Sequence, residues 1–144
     1  MIAILKGKDI LQIDYLDECL KHKKILPIEN YTFKDEKAEG KYQFRLTDTI
    51  EKVRKQEFGV FDKKEFFVWE NLELLNDVSE IIKAGGGIIS EIILINTSQI
   101  ILIKNSDKQN FENVLGKVKN IYSFELVFMA CIQQKIDFEQ FKLY

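Results

Sequence analysis

The chain has 144 residues, of which 46% are hydrophobic and 31% charged. That balance excludes a disordered chain, and the length suits one full domain plus a fragment or one domain of ordinary size. Its 21 Lys and Arg against 23 Asp and Glu give a net charge of −2, the wrong sign for a general binder of phosphate backbones. No apolar run approaches the roughly 18–20 residues of a membrane span. Met1-Ile2-Ala3-Ile4-Leu5 is too short for a signal segment, and Lys6 and Lys8 follow it rather than precede it.

In chain order, the first unit is residues 10–31: a short apolar strand, an Asp at a helix start, an apolar helix bearing Cys19, a polar stretch and a closing Tyr31. Lys21-His22-Lys23-Lys24 reads as a solvated helix end, where cations complement the helix dipole. Residues 31–45 are polar and charged, as a solvated linker would be. The stretch Leu46–Arg54 follows, with Asp48 and Glu51 in a capping pattern and Ile50 and Val53 on one face. This predicts a short helix whose apolar stripe is too thin to fold alone, so that it docks between larger units.

A complete unit starts near Phe58. Glu65–Trp69 is aromatic and β-branched, the composition of a strand. Asn71 is placed to cap a helix in which Leu72, Leu75, Val78, Ile81 and Ile82 share a face, and Gly85-Gly86-Gly87 closes it. A nucleotide-binding loop is the competing reading of these glycines, but that fingerprint opens a helix after a strand. Ile88-Ile89-Ser90 begins a second strand, and Gln99–Lys104 is a third, apolar as a strand buried on both faces would be. Ser106 with Gln109 forms a capping box for a helix carrying Phe111, Val114, Leu115 and Val118. Asn120–Ser123 is the fourth strand, and Ser123 caps a last helix with Leu126, Val127, Ala130 and Cys131 inward. The order is β-α-β-β-α-β-α. One local signal opposes a parallel sheet: the second and third strands lie close enough to form a hairpin around Asn96-Thr97-Ser98.

Residues 121–144 repeat the plan of residues 10–31, with Cys131 for Cys19 and Phe141 for Tyr31. Tyr15-Leu16-Asp17-Glu18-Cys19-Leu20, with Pro27 and Tyr31 after it, resembles the C-terminal end of a BRCT domain, Tyr15 standing in the slot usually held by Trp. In the second copy Val127 takes that slot, ahead of Phe128-Met129-Ala130-Cys131-Ile132. The stretches 90–95 and 137–141 are similar to the C-terminal tandem-BRCT region of PTIP-like multi-BRCT scaffold proteins. The resemblance implies an α/β fold: a four-stranded parallel sheet flanked by three helices, two on one face and one on the other. It is preceded by the C-terminal part of another repeat. The division is residues 1–31 as a first-repeat fragment, 32–57 as linker with a short helix, and 58–144 as a complete domain.

The resemblance also implies function. Tandem BRCT pairs bind phosphoserine peptides in DNA-damage signalling, among them a phosphorylated histone tail. Their phosphate is held by a Ser or Thr, a backbone N–H and a Lys of the first repeat, in charge-assisted bonds. Met1 aligns just past that Lys, so the whole phosphate pocket falls before the chain's first residue. What remains is an apolar pocket between repeats, with Met1 or Ile2, Leu72 and Met129 as its wall; ordinary core packing is the competing reading of each. Lys104 and Lys108, near the start of the second repeat's second helix, are the alternative phosphate contacts.

No catalytic set can be assembled around the single His22. Neither cysteine belongs to a C-x-x-C pair, so no metal and no cofactor is expected, and two helix-face thiols suit a reducing compartment. The reading is a nuclear, non-catalytic interaction module of a genome-maintenance scaffold, partnered by a phosphorylated protein, without membrane or direct nucleic-acid binding. Uncovered apolar residues at Ile4, Ile10, Ile13 and Tyr15 would favour self-association. The competing readings are a BRCT module for DNA ends or a repair-enzyme partner, which wants a more basic face, and a flavodoxin-like enzyme, which wants a ligand loop after a strand.

Overall fold

The computed structural model describes residues 1–69, 72–94, 97–115 and 118–143, with backbone alone for residues 72–75, 114 and 115. Asn71 and Asn96 therefore lie outside the described residues, as do the side chains of Leu72, Leu75, Val114 and Leu115.

Four strands form one parallel sheet: β1 (Glu65–Val68), β2 (Ile88–Ile89), β3 (Ile100–Ile103) and β4 (Ile121–Ser123), in the order β2-β1-β3-β4. Phe66 pairs with Ile89 on one side and Ile100 on the other, and Leu102 pairs with Tyr122. The hairpin suggested by the local sequence does not form, because β2 and β3 lie on opposite sides of β1. Among its described residues the connection between them has no helix, and a buried side chain holds it. Gln99 Nε2 donates to Glu65 Oε1 (2.9 Å) and to the Ile92 carbonyl (3.1 Å), while its Oε1 accepts from the Leu94 N–H (2.8 Å). One amide thus ties both ends of the connection to the sheet.

β3 is buried along its whole length, as an apolar central strand must be. Its side chains alternate between faces. Ile100 and Leu102 join Phe66, Val68, Tyr122 and the helices α5 (Leu72–Ala84) and α7 (Glu125–Gln133). Ile101 and Ile103 join Phe111 of α6 (Lys108–Leu115), with Phe67 and Trp69 packed alongside. Two helices cover one face and one covers the other. Each fully buried Ile, Leu, Val or Phe contributes about 1.5–3 kcal/mol relative to exposure.

The three glycines close α5 and are packed, not open. Gly86 has φ +87°, the Gly87 N–H donates to the Ile82 carbonyl (2.9 Å), and a Cβ on Gly59 would fall on the Gly85 carbonyl oxygen. Ser123 acts as expected, its Oγ accepting from the Glu125 N–H (3.3 Å). Ser106 does not: it sits in a 3-10 turn and its Oγ donates to Asp107 Oδ1.

Before the sheet come α1 (Ile2–Leu5), α2 (Asp14–His22), α3 (Glu36–Tyr42) and α4 (Leu46–Lys55); α8 (Phe138–Phe141) follows α7. α3 lies in the stretch read from sequence as linker. Asp35 caps it by accepting from the Ala38 N–H (2.9 Å). α4 forms where expected, but Asp48 is not its cap. Glu39 Oε1 accepts the Leu46 N–H instead (3.0 Å). α1 brings Ile4 and Leu5 into the core, Ile4 beside Leu46, Ile50 and Ile132, so Ile4 is not the exposed residue that the sequence suggested. Arg54 secures the segment after it, donating to the Gly7 carbonyl (2.8 Å) and Asp9 Oδ2 (2.7 Å).

The repeated motif is real in three dimensions. α2 and α7 are both nine residues long and both end on a left-handed residue, Lys23 (φ 51°) and Gln134 (φ 52°). Each is preceded by a strand segment bridged to the chain beyond its helix, Leu11 to Thr32 and Tyr122 to Lys142. These landmarks pair Tyr15 with Leu126 and Cys19 with Ala130, one position away from the motif pairing with Val127 and Cys131. Asp14 lies inside the first turn of α2 and makes no cap bond.

Candidate functional site

A groove of about 780 Å³ opens where α1 meets α7, walled on its far side by α3 and α8. α7 supplies Phe128, Met129 and Ile132, because Leu126, Val127, Ala130 and Cys131 are turned to the sheet. Met1 lies at the α1 side, and Tyr42, Phe44 and Phe141 complete the apolar wall. The end of α3 is shaped for this. Gln43 takes the left-handed conformation (φ 52°) and returns the chain, so that the Phe44 N–H donates to the Glu39 carbonyl (3.1 Å).

α4 fixes the position of α7. Thr49 Oγ1 donates to the Ile132 carbonyl (2.7 Å), and Lys52 Nζ reaches the carbonyls of Gln133 (3.4 Å) and Gln134 (3.3 Å). A hydroxyl and an ammonium therefore serve the carboxyl end of α7, where carbonyls lack helical partners and the dipole favours a cation. Gln133 Nε2 in turn donates to the Tyr42 carbonyl (3.3 Å), joining α7 to α3 across the groove. Lys41 stands over the Tyr42 ring, 4.8 Å from its centroid, and Glu125 lies at the opposite side.

Of the residues named from sequence, Met1 and Met129 come together as lining of this groove. Leu72 opens α5, and its side chain lies outside the described residues. Lys104 and Lys108 do not line the groove. They stand at the end of β3 and the start of α6, on the other face of the sheet, and Lys108 Nζ donates to the Leu143 carbonyl (2.9 Å). Tyr42, Phe44 and Phe141 were missed as site residues. The signal available for the first two was a pair of aromatics inside an otherwise charged stretch.

The surface of the groove is suited to contact with an apolar side chain. Two thioethers and four aromatic rings make an adaptable apolar wall. The thiol behind it, Cys131, is pushed up by burial to about 12 and stays protonated at neutral pH. Among the described residues no cluster of His, Cys, Asp and Glu suits a metal ion, and no helix is long and apolar enough to cross a membrane.

The fold is a short parallel sheet with a groove at a junction of its helices. The family model of the BRCT domain matches residues 59–142, and the chain belongs to that family. It is 27% identical over 145 residues to the DNA damage response protein Mdb1 of Schizosaccharomyces pombe, covering 98% of this chain and 23% of that protein. It is 23% identical over 155 residues to PAX-interacting protein 1 of Bos taurus, covering 99% of this chain and 16% of that protein. The chain thus spans less than a quarter of the curated relatives it matches. Among solved structures, the BRCT5-BRCT6 domains of S. pombe Brc1 superpose with a TM-score of 0.76 at 20% identity, over 95% of this chain and 73% of that one. A structure of Rtt107p gives 0.64 at 16% identity, over 96% and 66%.

Proposed function

We propose that this chain is a non-catalytic, nuclear protein-interaction module of a DNA-damage response protein, and that its groove receives an apolar side chain of a phosphorylated partner segment, such as a modified histone tail. The observation that carries the reading is the meeting of Met1 and Met129 in one apolar groove where the first unit joins the complete domain. Residues 1–31 are read as the end of a first repeat, on the strength of their bridge, helix and left-handed cap matching those of residues 121–142. The nuclear setting is supported by the likeness to the S. pombe DNA damage response protein Mdb1. The competing reading, a module for DNA ends, draws little support from the basic run Lys21–Lys24, since Lys21 is already paired with Glu18 at 2.7 Å.

The wall of the groove is apolar, so it supplies contact and sequence preference, not a sensor for the dianion. Titrating the chain with a peptide bearing an apolar residue three positions after phosphoserine, and following the methyl resonances of Met1 and Met129, tests this. Both methyls should shift together and saturably. Binding that moves neither would place the peptide elsewhere and sink the reading.

A further inference from the structure

We propose that a second surface, a cleft where the chain enters β1, receives an acidic partner segment anchored by one apolar side chain. The inference is independent of the groove beside α7. The cleft has a volume of about 510 Å³ and is lined by residues of the segments 56–64 and 134–138. It shares no lining residue with the groove, and none of its lining comes from residues 1–55.

The floor of the cleft is preformed. Val60, Ile136 and Phe138 rest on the core of the sheet, and the Phe138 ring lies 5.1 Å from that of Tyr122. The strip leading into β1 is held by its backbone. The Phe61 N–H donates to the Gly85 carbonyl (2.8 Å), and the Asp62 N–H donates to the Gly59 carbonyl (3.0 Å). Phe58 stands just ahead of this anchored strip and is 58% exposed. An exposed phenylalanine beside a fixed apolar floor is contact area that the fold itself does not use.

The charges choose the occupant. Lys63 Nζ stands over the Phe58 ring, 5.6 Å from its centroid, and Lys64 Nζ stands over the Phe138 ring at 6.0 Å. Lys135 adds a third ammonium to the lining. Among the described residues none of the three makes an ion pair, and Glu57 is the single acidic group of the lining. Lysine stems cover apolar surface while their charged heads stay in water, open to a carboxylate. An apolar floor ringed by such heads is complementary to an apolar side chain with acidic neighbours. A nucleic acid fits less well. Phe138 already carries a ring and a cation, so it is not an open platform for a base, and the net charge of −2 opposes a polyanion.

Fluorescence anisotropy with the full chain tests the proposal. The probes are a labelled peptide with one leucine amid glutamates, a twin with lysines for the glutamates, and a single-stranded oligonucleotide. The glutamate peptide should bind at least about tenfold more tightly than its twin, and added salt should weaken it. Lys64→Glu combined with Lys135→Glu should abolish that preference with unchanged circular dichroism. Lys135→Glu alone, at an exposed position, should weaken binding about threefold even if the pair disturbs the fold. Glu57→Gln should tighten binding about two- to threefold, a gain that damaged folding cannot produce. In amide spectra the peptide should shift Gly59 and Lys135. Equal affinity for the two peptides overturns the proposal. So does tighter binding of the oligonucleotide, a Lys135→Glu variant that binds as the wild type does, or shifts confined to the groove around Met129.

Discussion

The hydroxyl of Thr49 and the carbonyl of Ile132, 83 residues apart in sequence, form a buried hydrogen bond of 2.7 Å. It joins α4 to the last turn of α7, and so sets one wall of the groove. Thr49→Val keeps the shape and leaves the carbonyl unpaired in a buried site. The expected loss is about 1–3 kcal/mol in urea unfolding. A loss within error would mean that water replaces the hydroxyl and that α4 does not hold α7.

The first unit attaches through α1, not through α2. Ile4 is buried with Leu46, Ile50 and Ile132, while Leu16 is exposed. Ile4→Ala should cost roughly 2–4 kcal/mol and Leu16→Ala within about 0.5 kcal/mol at concentrations where the chain is monomeric. Equal effects would contradict this account of how residues 1–31 dock.

Gln99 marks where sequence reading reached its limit. The strands were legible because β-branched and aromatic runs are rare outside strands, and the all-apolar 100–103 run could only be central. The connection from β2 to β3 was not, because its partner is one buried amide that bonds Glu65, Ile92 and Leu94, and nothing in the spacing announces it. α3 was hidden in the same way. Its residues are charged and its stability comes from the Asp35 cap and from packing near the groove, so periodicity alone left it as linker. The groove was half legible: Met1 and Met129 followed from the resemblance, but Tyr42, Phe44 and Phe141 needed the path of the chain after Gln43. The one-position shift between Val127 and Leu126 arose because a degenerate motif was aligned by its cysteine, and the helix ends align by their caps.

Replacing Gln99 with Leu should therefore cost about 1–2 kcal/mol, by removing the acceptor of the Leu94 N–H and one of two donors to the Ile92 carbonyl, which keeps the Ser90 hydroxyl. It should also speed proteolysis and amide exchange across residues 90–94 more than elsewhere. Uniform acceleration across the domain would show that the amide holds no particular segment.

Burial raises the Cys131 thiol from its ordinary 9 to about 12. Below pH 9 both the folded and unfolded chains hold this proton, and its contribution is whole. Above it the unfolded thiol ionises first, so stability falls by about 1.4 kcal/mol per pH unit until the folded thiol also titrates. Cys131→Ala should show a visibly shallower decline between pH 9 and 11, whatever packing it loses at neutral pH. Parallel slopes for the two proteins would place the alkaline sensitivity elsewhere, Tyr122 being next, since burial raises it too.

The most direct test of the central claim is a fluorescence-anisotropy titration of a phosphoserine peptide, with an apolar residue three positions on, and its unphosphorylated twin, against the wild-type chain and Met129→Glu. The groove is apolar and, on the proposed reading, supplies contact and no phosphate-holding set. The two peptides should therefore bind the wild-type chain equally, and both should lose affinity at least tenfold, about 1.4 kcal/mol, in the variant. A clear preference for the phosphopeptide that persists in Met129→Glu would contradict the account and point to a phosphate site on the other face of the sheet, at Lys104 or Lys108.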